Sequence, residues 1–395
     1  MSKAILDKNN KLILPDDFLR RNHLLKDQEW WVNQRDGSVI LLPRVPDLRK
    51  VYIEPTTLCN LKCHTCIRNV WENQGGHMRI EVFLELIEQI GEFPQLERVV
   101  FMGFGEPFLH PHILQMIQLV RERNLDVTII SNGLLLDKPI LQEIINLRVD
   151  RLVISLDGVT PETYAGVRGA SLSSVLENIR TLNDVKSEMG SLFPALGIEF
   201  VALKSNIPEL ERMSELASRL NASSVLVSNV LAYTDEMRDE ILYGYEPRLP
   251  LKSGSWPVRA DAWVMWGTLN LPRMQWGAEQ RCRFINDRAT VIGWDGSVLP
   301  CLALSHFYSY LTVDGQRKQV KRYPMGNITH TPLLEIWTSE DYCRFRGEVR
   351  DFHFPSCPNC DLRDNCDLRE KNEACWGWNP SCADCLWAQD IIRCP

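Results

Sequence analysis

A chain of 395 residues, 45% hydrophobic and 24% charged, is long enough for one large domain with one or two small ones and has the composition of an ordinary globular protein. Its net charge of −7 excludes the basic footprint of a general nucleic-acid binder, and no apolar run is long enough to span a bilayer. Thirteen cysteines behind an opening Met1-Ser2-Lys3-Ala4-Ile5, which has no export signal, argue for reduced thiols and metal in a low-oxygen cytoplasm rather than for disulfides.

Residues 1–45 read as short strands at 4–7, 11–14, 30–34 and 38–42, with Asn9-Asn10 and Asp36-Gly37 as turns. Pro15 opens a short helix over 16–22. This order resembles the swapped-hairpin domains of the AbrB type, whose members are usually dimeric and many of which bind DNA. Lys and Arg number 8 here against 6 Asp and Glu, too small an excess for phosphate binding. Docking or homodimerisation is therefore the favoured role, and nucleic acid is not expected as a partner.

Val45-Pro46-Asp47 marks the joint to a second domain, 46–230. Strand-like runs at 51–55, 98–101, 127–131, 151–155, 197–203 and 223–227 alternate there with helical stretches near 80–91, 111–123, 137–147, 173–189 and 207–220. The alternation gives an α/β class with a parallel sheet, and six repeats fit a partial (β/α)6 TIM-like barrel. Active sites in such barrels collect at the C-terminal strand ends.

Directly after the first of these strands comes Cys59-Asn60-Leu61-Lys62-Cys63-His64-Thr65-Cys66. Three soft ligands on one loop point to metal, and three rather than four point to an iron–sulfur cluster with one open iron. A structural zinc site completed by His64 or a distant cysteine is the bland alternative, but zinc ligands usually come in paired units. The Cys-x-x-x-Cys-x-x-Cys loop after a first strand resembles the signature of the radical S-adenosylmethionine (SAM) enzymes. That resemblance implies a [4Fe–4S] cluster on Cys59, Cys63 and Cys66, with SAM chelated at the open iron. It further implies reductive cleavage to a 5′-deoxyadenosyl radical, fed by a reduced ferredoxin- or flavodoxin-type donor.

The following strand ends carry the rest of the resemblance. Met102-Gly103-Phe104-Gly105-Glu106-Pro107 is similar to the family's Gly-Gly-Glu motif with Phe104 intruding, which assigns Gly103, Gly105 and Glu106 to the SAM amino group. Ser131-Asn132-Gly133 and Ser155-Leu156-Asp157-Gly158 place Asn132, Ser155 and Asp157 where the ribose or adenine would lie. In Tyr164-Ala165-Gly166-Val167-Arg168-Gly169, Arg168 reads either as a partner of the SAM carboxylate or as a surface residue.

Residues 231–281 break the pattern with Pro247, Pro250, Pro257, Pro272 and four tryptophans, Trp256, Trp263, Trp266 and Trp276. Packing is the favoured role for these rings, with a substrate cavity as the alternative. Ten of the cysteines then fall between Cys282 and Cys394, a separate metal-rich module over 282–395. The order Cys282, Gly296-x4-Cys301, Gly326-Asn327-Ile328, Cys357-x2-Cys360-x5-Cys366 resembles the SPASM extension of radical SAM maturases, which usually holds two auxiliary [4Fe–4S] clusters. Where a further cysteine is expected, Glu370 stands, with Cys375 nearest. By order, Cys282, Cys301 and Cys375 belong to one cluster and Cys357, Cys360 and Cys366 to the other. Cys382, Cys385 and Cys394 compete for the remaining places, and Cys343 reads as a buried thiol. Zinc knuckles at Cys357/Cys360 and Cys382/Cys385 would leave the first loop unexplained.

The expected function is that of a maturase acting on a protein, peptide or cofactor. Sulfatase maturases carry a basic aspartate after the second SPASM cysteine, where this chain has Leu302. The domain order resembles the maturases associated with tungsten-containing aldehyde ferredoxin oxidoreductases, which would make such an oxidoreductase the partner. A ribosomal-peptide or, less favoured for want of that aspartate, a sulfatase-type maturase is the alternative within the class, and a zinc-stabilised AbrB-like regulator the alternative outside it.

Overall fold

The computed structural model describes residues 4–21, 29–35, 37–71, 75–245, 269–377 and 379–394. Asn22, Asp36, Pro247, Pro250, Trp256, Pro257, Trp263 and Trp266, all singled out above, lie outside them. Strand β1 (Ile5–Leu6) pairs antiparallel with β2 (Leu12–Ile13), and helix Asp16–Arg21 follows. Asp7 shapes the intervening turn, its Oδ1 accepting from Asn9 N and Lys11 N at 2.8 Å. Strands β3 (Trp30–Arg35) and β4 (Ser38–Pro43) form a second antiparallel hairpin.

Strands β5 (Lys50–Ile53), β6 (Arg98–Phe101), β7 (Asp126–Ser131), β8 (Arg151–Ser155), β9 (Ala195–Ala202) and β10 (Ala222–Asn229) run parallel in sequential order. The expected six-strand frame is there, and each of its first five strands is followed by a predicted helix, with the unpredicted helix Pro161–Arg168 inserted after β8. Alternation sorts the side chains. Val51, Ile53, Val99, Phe101, Val127 and Ile129 pack outward on the helices, whereas Tyr52, Val100, Ile130 and Val153 face the barrel interior. The helices answer with apolar stripes, such as Val82, Phe83, Leu86 and Ile87 on Ile80–Gln89.

Strands from outside the predicted barrel extend this sheet at both edges. Strand β11 (Leu269–Asn270) adds parallel to β10 at one end. At the other, β12 (Ala289–Ile292) pairs parallel with β5, Thr290 opposite Val51 and Ile292 opposite Ile53. Strands β13 (Ser297–Leu299) and β16 (Gly326–Asn327) follow antiparallel and complete a ten-stranded sheet, while β14 (Tyr308–Leu311) and β15 (Arg317–Val320) pair by themselves. The cysteine-rich segment thus joins the barrel through its backbone.

Side chains reinforce that joint. Trp337 Nε1 donates to Val45 O at 3.2 Å and Asp47 Oδ1 at 3.0 Å, fixing the predicted hinge against the tail. Trp31 Nε1 on β3 donates to Thr338 O at 2.8 Å. In the connector, Trp276 is fully buried and stacks on Tyr245, in keeping with a packing role.

Candidate active site

The cysteine loop leaves the end of β5 and lies against the loop after β6. Glu106 N donates to Leu58 O at 2.8 Å, and a Cβ on Gly105 would stand 2.2 Å from Thr56 O, so only glycine allows the two loops to touch. Gly103 is held likewise, because a Cβ there would meet Glu54 Cγ at 2.4 Å. Together they wall a cavity of about 240 Å³ lined by Cys59, Cys63, Cys66, Gly103, Gly105, Glu106, Asn132, Ser155 and Arg168. All but one of the residues expected around SAM therefore share one cavity, at the C-terminal strand ends.

Asp157 is the exception. It is fully buried behind the wall, its Oδ1 accepting from Val201 N at 2.7 Å and its Oδ2 lying 2.5 Å from Arg168 Nε. Helix Pro161–Arg168 ends at Gly169 in the left-handed region, φ +67°, and delivers the guanidinium from its last turn. Burial opposes the Arg168 charge, and Asp157 more than restores it. Arg168 is thus a cavity residue with a dedicated buried counterion, and its Nη1 lies 3.9 Å from Cys63 Sγ. Burial pushes the Cys63 and Cys66 thiols up, with Arg168 opposing the shift at Cys63 and Arg68 N–H at Cys66.

Glu106 is occupied within the protein: it accepts from Asn132 N at 2.8 Å, Ser131 Oγ at 2.9 Å and Phe108 N at 3.2 Å. Burial raises its carboxyl to about 7. Asn132 in turn reaches Asn60 Oδ1 at 2.8 Å and Cys59 Sγ at 3.8 Å, so the end of β7 is latched to the cysteine loop.

Two features of the site are not legible in the sequence. Glu199, on the inward face of β9, lines the cavity beside Ser155 Oγ at 3.4 Å, and burial raises its carboxyl to about 7. Its signal was an acid inside an otherwise apolar strand. Glu54 and His306 form a buried pair at 2.8 Å, Glu54 also accepting from Phe104 N at 3.1 Å, while His306 stacks on Trp71. The tail closes the cavity from the other side with Leu302, Trp387, Ile392, Arg393 and Cys394.

The tail cysteines fall into two neighbourhoods. Burial drives the Cys301 and Cys382 thiols far up and those of Cys282 and Cys394 up to about 12, and the Cys301 thiol also acts against Cys385, Cys282 and Cys394. Cys385 joins them. Cys357, also pushed up to about 12, has Cys375 as its cysteine neighbour, and Cys360 and Cys366 stand on the same short loops. Cys375, placed above with Cys282 and Cys301 by order alone, is near enough to Cys357 to oppose its ionisation, while Cys385 and Cys394 act in the same way on Cys301, and Cys282 and Cys301 act so on Cys382. Cys343 is buried in helix Glu340–Arg350 against Pro43 O and Trp337 O.

Comparison with known proteins agrees with this layout. Residues 53–199 match the Radical SAM superfamily, and residues 282–386 match the SPASM iron–sulfur cluster-binding domain. The tungsten-containing aldehyde ferredoxin oxidoreductase cofactor-modifying protein of Pyrococcus furiosus is 34% identical over 351 residues, spanning 88% of this chain and 97% of the relative. The chain belongs to the radical SAM superfamily. A PqqA peptide cyclase of Granulibacter bethesdensis is 26% identical over 329 residues, 79% of each chain. In fold, the crystal structure of Streptococcus suis SuiB superposes with a TM-score of 0.58 at 17% identity, covering 85% of this chain and 76% of that one.

As a radical SAM enzyme with a SPASM domain, the chain takes SAM, a [4Fe–4S] cluster and auxiliary iron–sulfur clusters. Its donor set fits them. Cys59, Cys63 and Cys66 open onto one cavity, and N–H groups of Leu61, at 3.4 Å from Cys59 Sγ, and of Arg168 aim at the sulfurs, the kind of contact that stabilises thiolate charge. Among the described residues no three His, Cys, Asp or Glu side chains meet at a point suited to a single metal ion. In the tail, buried thiols that make one another weaker acids need a strongly cationic partner to ionise, which iron provides.

Proposed function

We propose that this enzyme is a maturase that modifies the cofactor or polypeptide of a tungsten-containing aldehyde ferredoxin oxidoreductase. The observation that carries the reading is the likeness to the P. furiosus cofactor-modifying protein, which runs through barrel and tail alike and leaves almost none of that relative unmatched. Leu302 adds to it. The residue after Cys301 faces the cavity with an apolar side chain, where a sulfatase maturase needs a base.

In this reading Cys59, Cys63 and Cys66 hold the SAM cluster, and Gly103, Gly105 and Glu106 receive the SAM amino group. Asn132 and Ser155 face the nucleoside, Arg168 takes the carboxylate, and Asp157 positions Arg168. Cys282 and Cys301 hold one auxiliary centre with partners from Cys382, Cys385 and Cys394, and Cys357, Cys360, Cys366 and Cys375 hold the other. A cluster held by Cys59, Cys63 and Cys66 would supply the one-electron reduction needed to cleave the SAM sulfonium. The chain's own residues then shield the reacting centre from water, with Leu302, Trp387 and Ile392 forming an apolar wall.

A reduced ferredoxin- or flavodoxin-type protein in a low-oxygen cytoplasm serves as donor. Residues 1–45 act as a homodimerisation module: Ile5, Leu6 and Ile13 on the first hairpin are 62%, 64% and 52% exposed, apolar surface that a second copy would cover. Substituting Ile5 and Ile13 by aspartate should halve the mass seen in sedimentation, and an unchanged mass would remove that role.

The decisive experiment is anaerobic purification with metal analysis, followed by reduction with SAM. About twelve irons per chain, four for each of three clusters, and formation of 5′-deoxyadenosine are expected. Stoichiometric zinc without iron, or an intact reduced cluster that leaves SAM unchanged, overturns the reading. Copurification of a tungsten oxidoreductase then tests the partner.

A further inference from the structure

A second cavity, of about 310 Å³, opens at the opposite end of the barrel, where the strands begin. Lys50, Arg98 and Arg151 are the first residues of β5, β6 and β8, and all three side chains line it. Arg283 and Arg393 complete five cations against two acids, Asp287 and Asp390, with the cluster cysteines Cys282 and Cys394 at the inner end of the lining. Asp390 is already held by Arg283 at 3.0 Å and Arg393 at 2.6 Å, and Arg98 pairs with Asp126 at 3.2 Å.

Lys50 and Arg151 have no carboxylate in ion-pair contact among the described residues. Lys50 Nζ stands 4.5 Å over the Tyr52 ring, and Arg151 donates to Ser224 Oγ. Both side chains are half-buried, and Arg98 stands close enough to repel both, while Asp287 and Cys394 offset part of that repulsion at Lys50. Barrel interiors are normally packed with branched apolar side chains, so partly buried cations that repel one another are not explained by stability. A dianion seated among them removes the repulsion and gains charge-assisted hydrogen bonds.

The two cavities share Trp387, Ile392, Arg393 and Cys394 as lining, so only the last turn of the tail separates them. A ligand anchored by one end at the strand starts points its other end toward the site of radical chemistry. We propose that this mouth binds the phosphate group of a small substrate, a phosphate ester rather than a peptide, held chiefly by Lys50 and Arg151. Thr128 and Ser224 add hydroxyl groups to the same wall, which suits a tetrahedral oxyanion better than a planar carboxylate. This deepens the maturase reading by assigning the modified molecule to the class of phosphorylated small molecules, and it rests on that reading for the reaction alone.

The test is calorimetric titration of the anaerobic holoenzyme with pyrophosphate, with inorganic phosphate, and with succinate as the carboxylate control. Saturable binding of the phosphates is expected, weakened at least tenfold in Lys50→Gln/Arg151→Gln while SAM affinity and iron content stay unchanged. Equal binding of succinate, undiminished binding in the variant, or no binding overturns the proposal, as does a variant that shifts only the cluster potentials. Should the variant misfold, the wild-type chain still decides: pyrophosphate must protect Lys50 from acetylation, read by mass spectrometry, and succinate must not. Pyrophosphate binding without 5′-deoxyadenosine formation leaves this cavity standing and removes the maturase reading, and the converse result removes the cavity alone.

Discussion

The two cysteine groups of this protein are built in opposite ways. Cys59, Cys63 and Cys66 lie on one loop, and local backbone bonds, such as Cys66 N to Cys63 O at 3.1 Å, already shape it. The tail cysteines come together only because β12 pairs with β5 and the last residues fold back onto the barrel interior. The loop needs the barrel for its surroundings, whereas the tail sites need it to exist. Chemistry that starts the reaction should therefore be separable from chemistry that depends on assembled tertiary structure.

The sharpest way to break that separation is Cys63→Ala. It should abolish 5′-deoxyadenosine formation and lower iron from about twelve to about eight per chain, read by metal analysis and product chromatography. Cys301→Ala should lose a similar amount of iron yet keep SAM cleavage in the absence of substrate. If both variants lose cleavage alike, the loop is not autonomous and the contrast fails.

Next in size is Asp157→Asn. Arg168 would keep its place in the cavity wall without its buried counterion, a change that typically costs about 3–5 kcal/mol, visible as a large drop in the urea midpoint. Arg168→Met added to it should recover much of that loss in stability without recovering SAM binding. An unchanged midpoint would mean that the pair orders nothing.

Glu199 offers a smaller, pH-dependent effect. Its carboxyl sits near 7 in the fold and near 4.5 when unfolded, because burial disfavours the charge. Such a group contributes stability that is complete below 4.5 and is lost as pH rises through 7. At about 1.4 kcal/mol per pKa unit the upper bound is roughly 3.5 kcal/mol, reduced because the side chain faces the cavity rather than solid core. Glu199→Gln in the apoprotein should flatten the fall in melting temperature between pH 5 and 8, and a slope equal to wild type would show the carboxyl already ionised.

What the sequence made legible follows the same division. Strands such as Arg98–Phe101 and Arg151–Ser155 were read with their observed bounds because a short apolar run between helical stretches is a local signal. So were the three loop cysteines and the glycines beside them. Asp157 looked like a free ligand at a strand end because nothing in the sequence says that Arg168 turns back onto it. The neighbourhood of Cys375 was likewise hidden: order along the chain placed it with Cys282, whereas in the fold it is near enough to Cys357 to oppose its ionisation. Glu199 and the Glu54–His306 pair were missed because a buried acid declares itself only once its surroundings are known, although an acid within a strand as apolar as β9 was a usable signal.

The mildest test concerns the N-terminal hairpin, which resembles the tail in depending on a distant partner and the loop in being locally formed. Its β3–β4 pairing is complete within a few residues, but two-stranded sheets are marginal alone, and its anchor is Trp31 Nε1 on Thr338 O, with Arg44 over the Trp31 ring at 5.2 Å. Trp31→Phe keeps an aromatic ring and removes that bond, at a cost of about 1 kcal/mol. Hydrogen exchange should then quicken in β3 and β4 while β5 and β12 stay protected. If β12 loosens as well, the hairpin supports the seam between tail and barrel rather than riding on it.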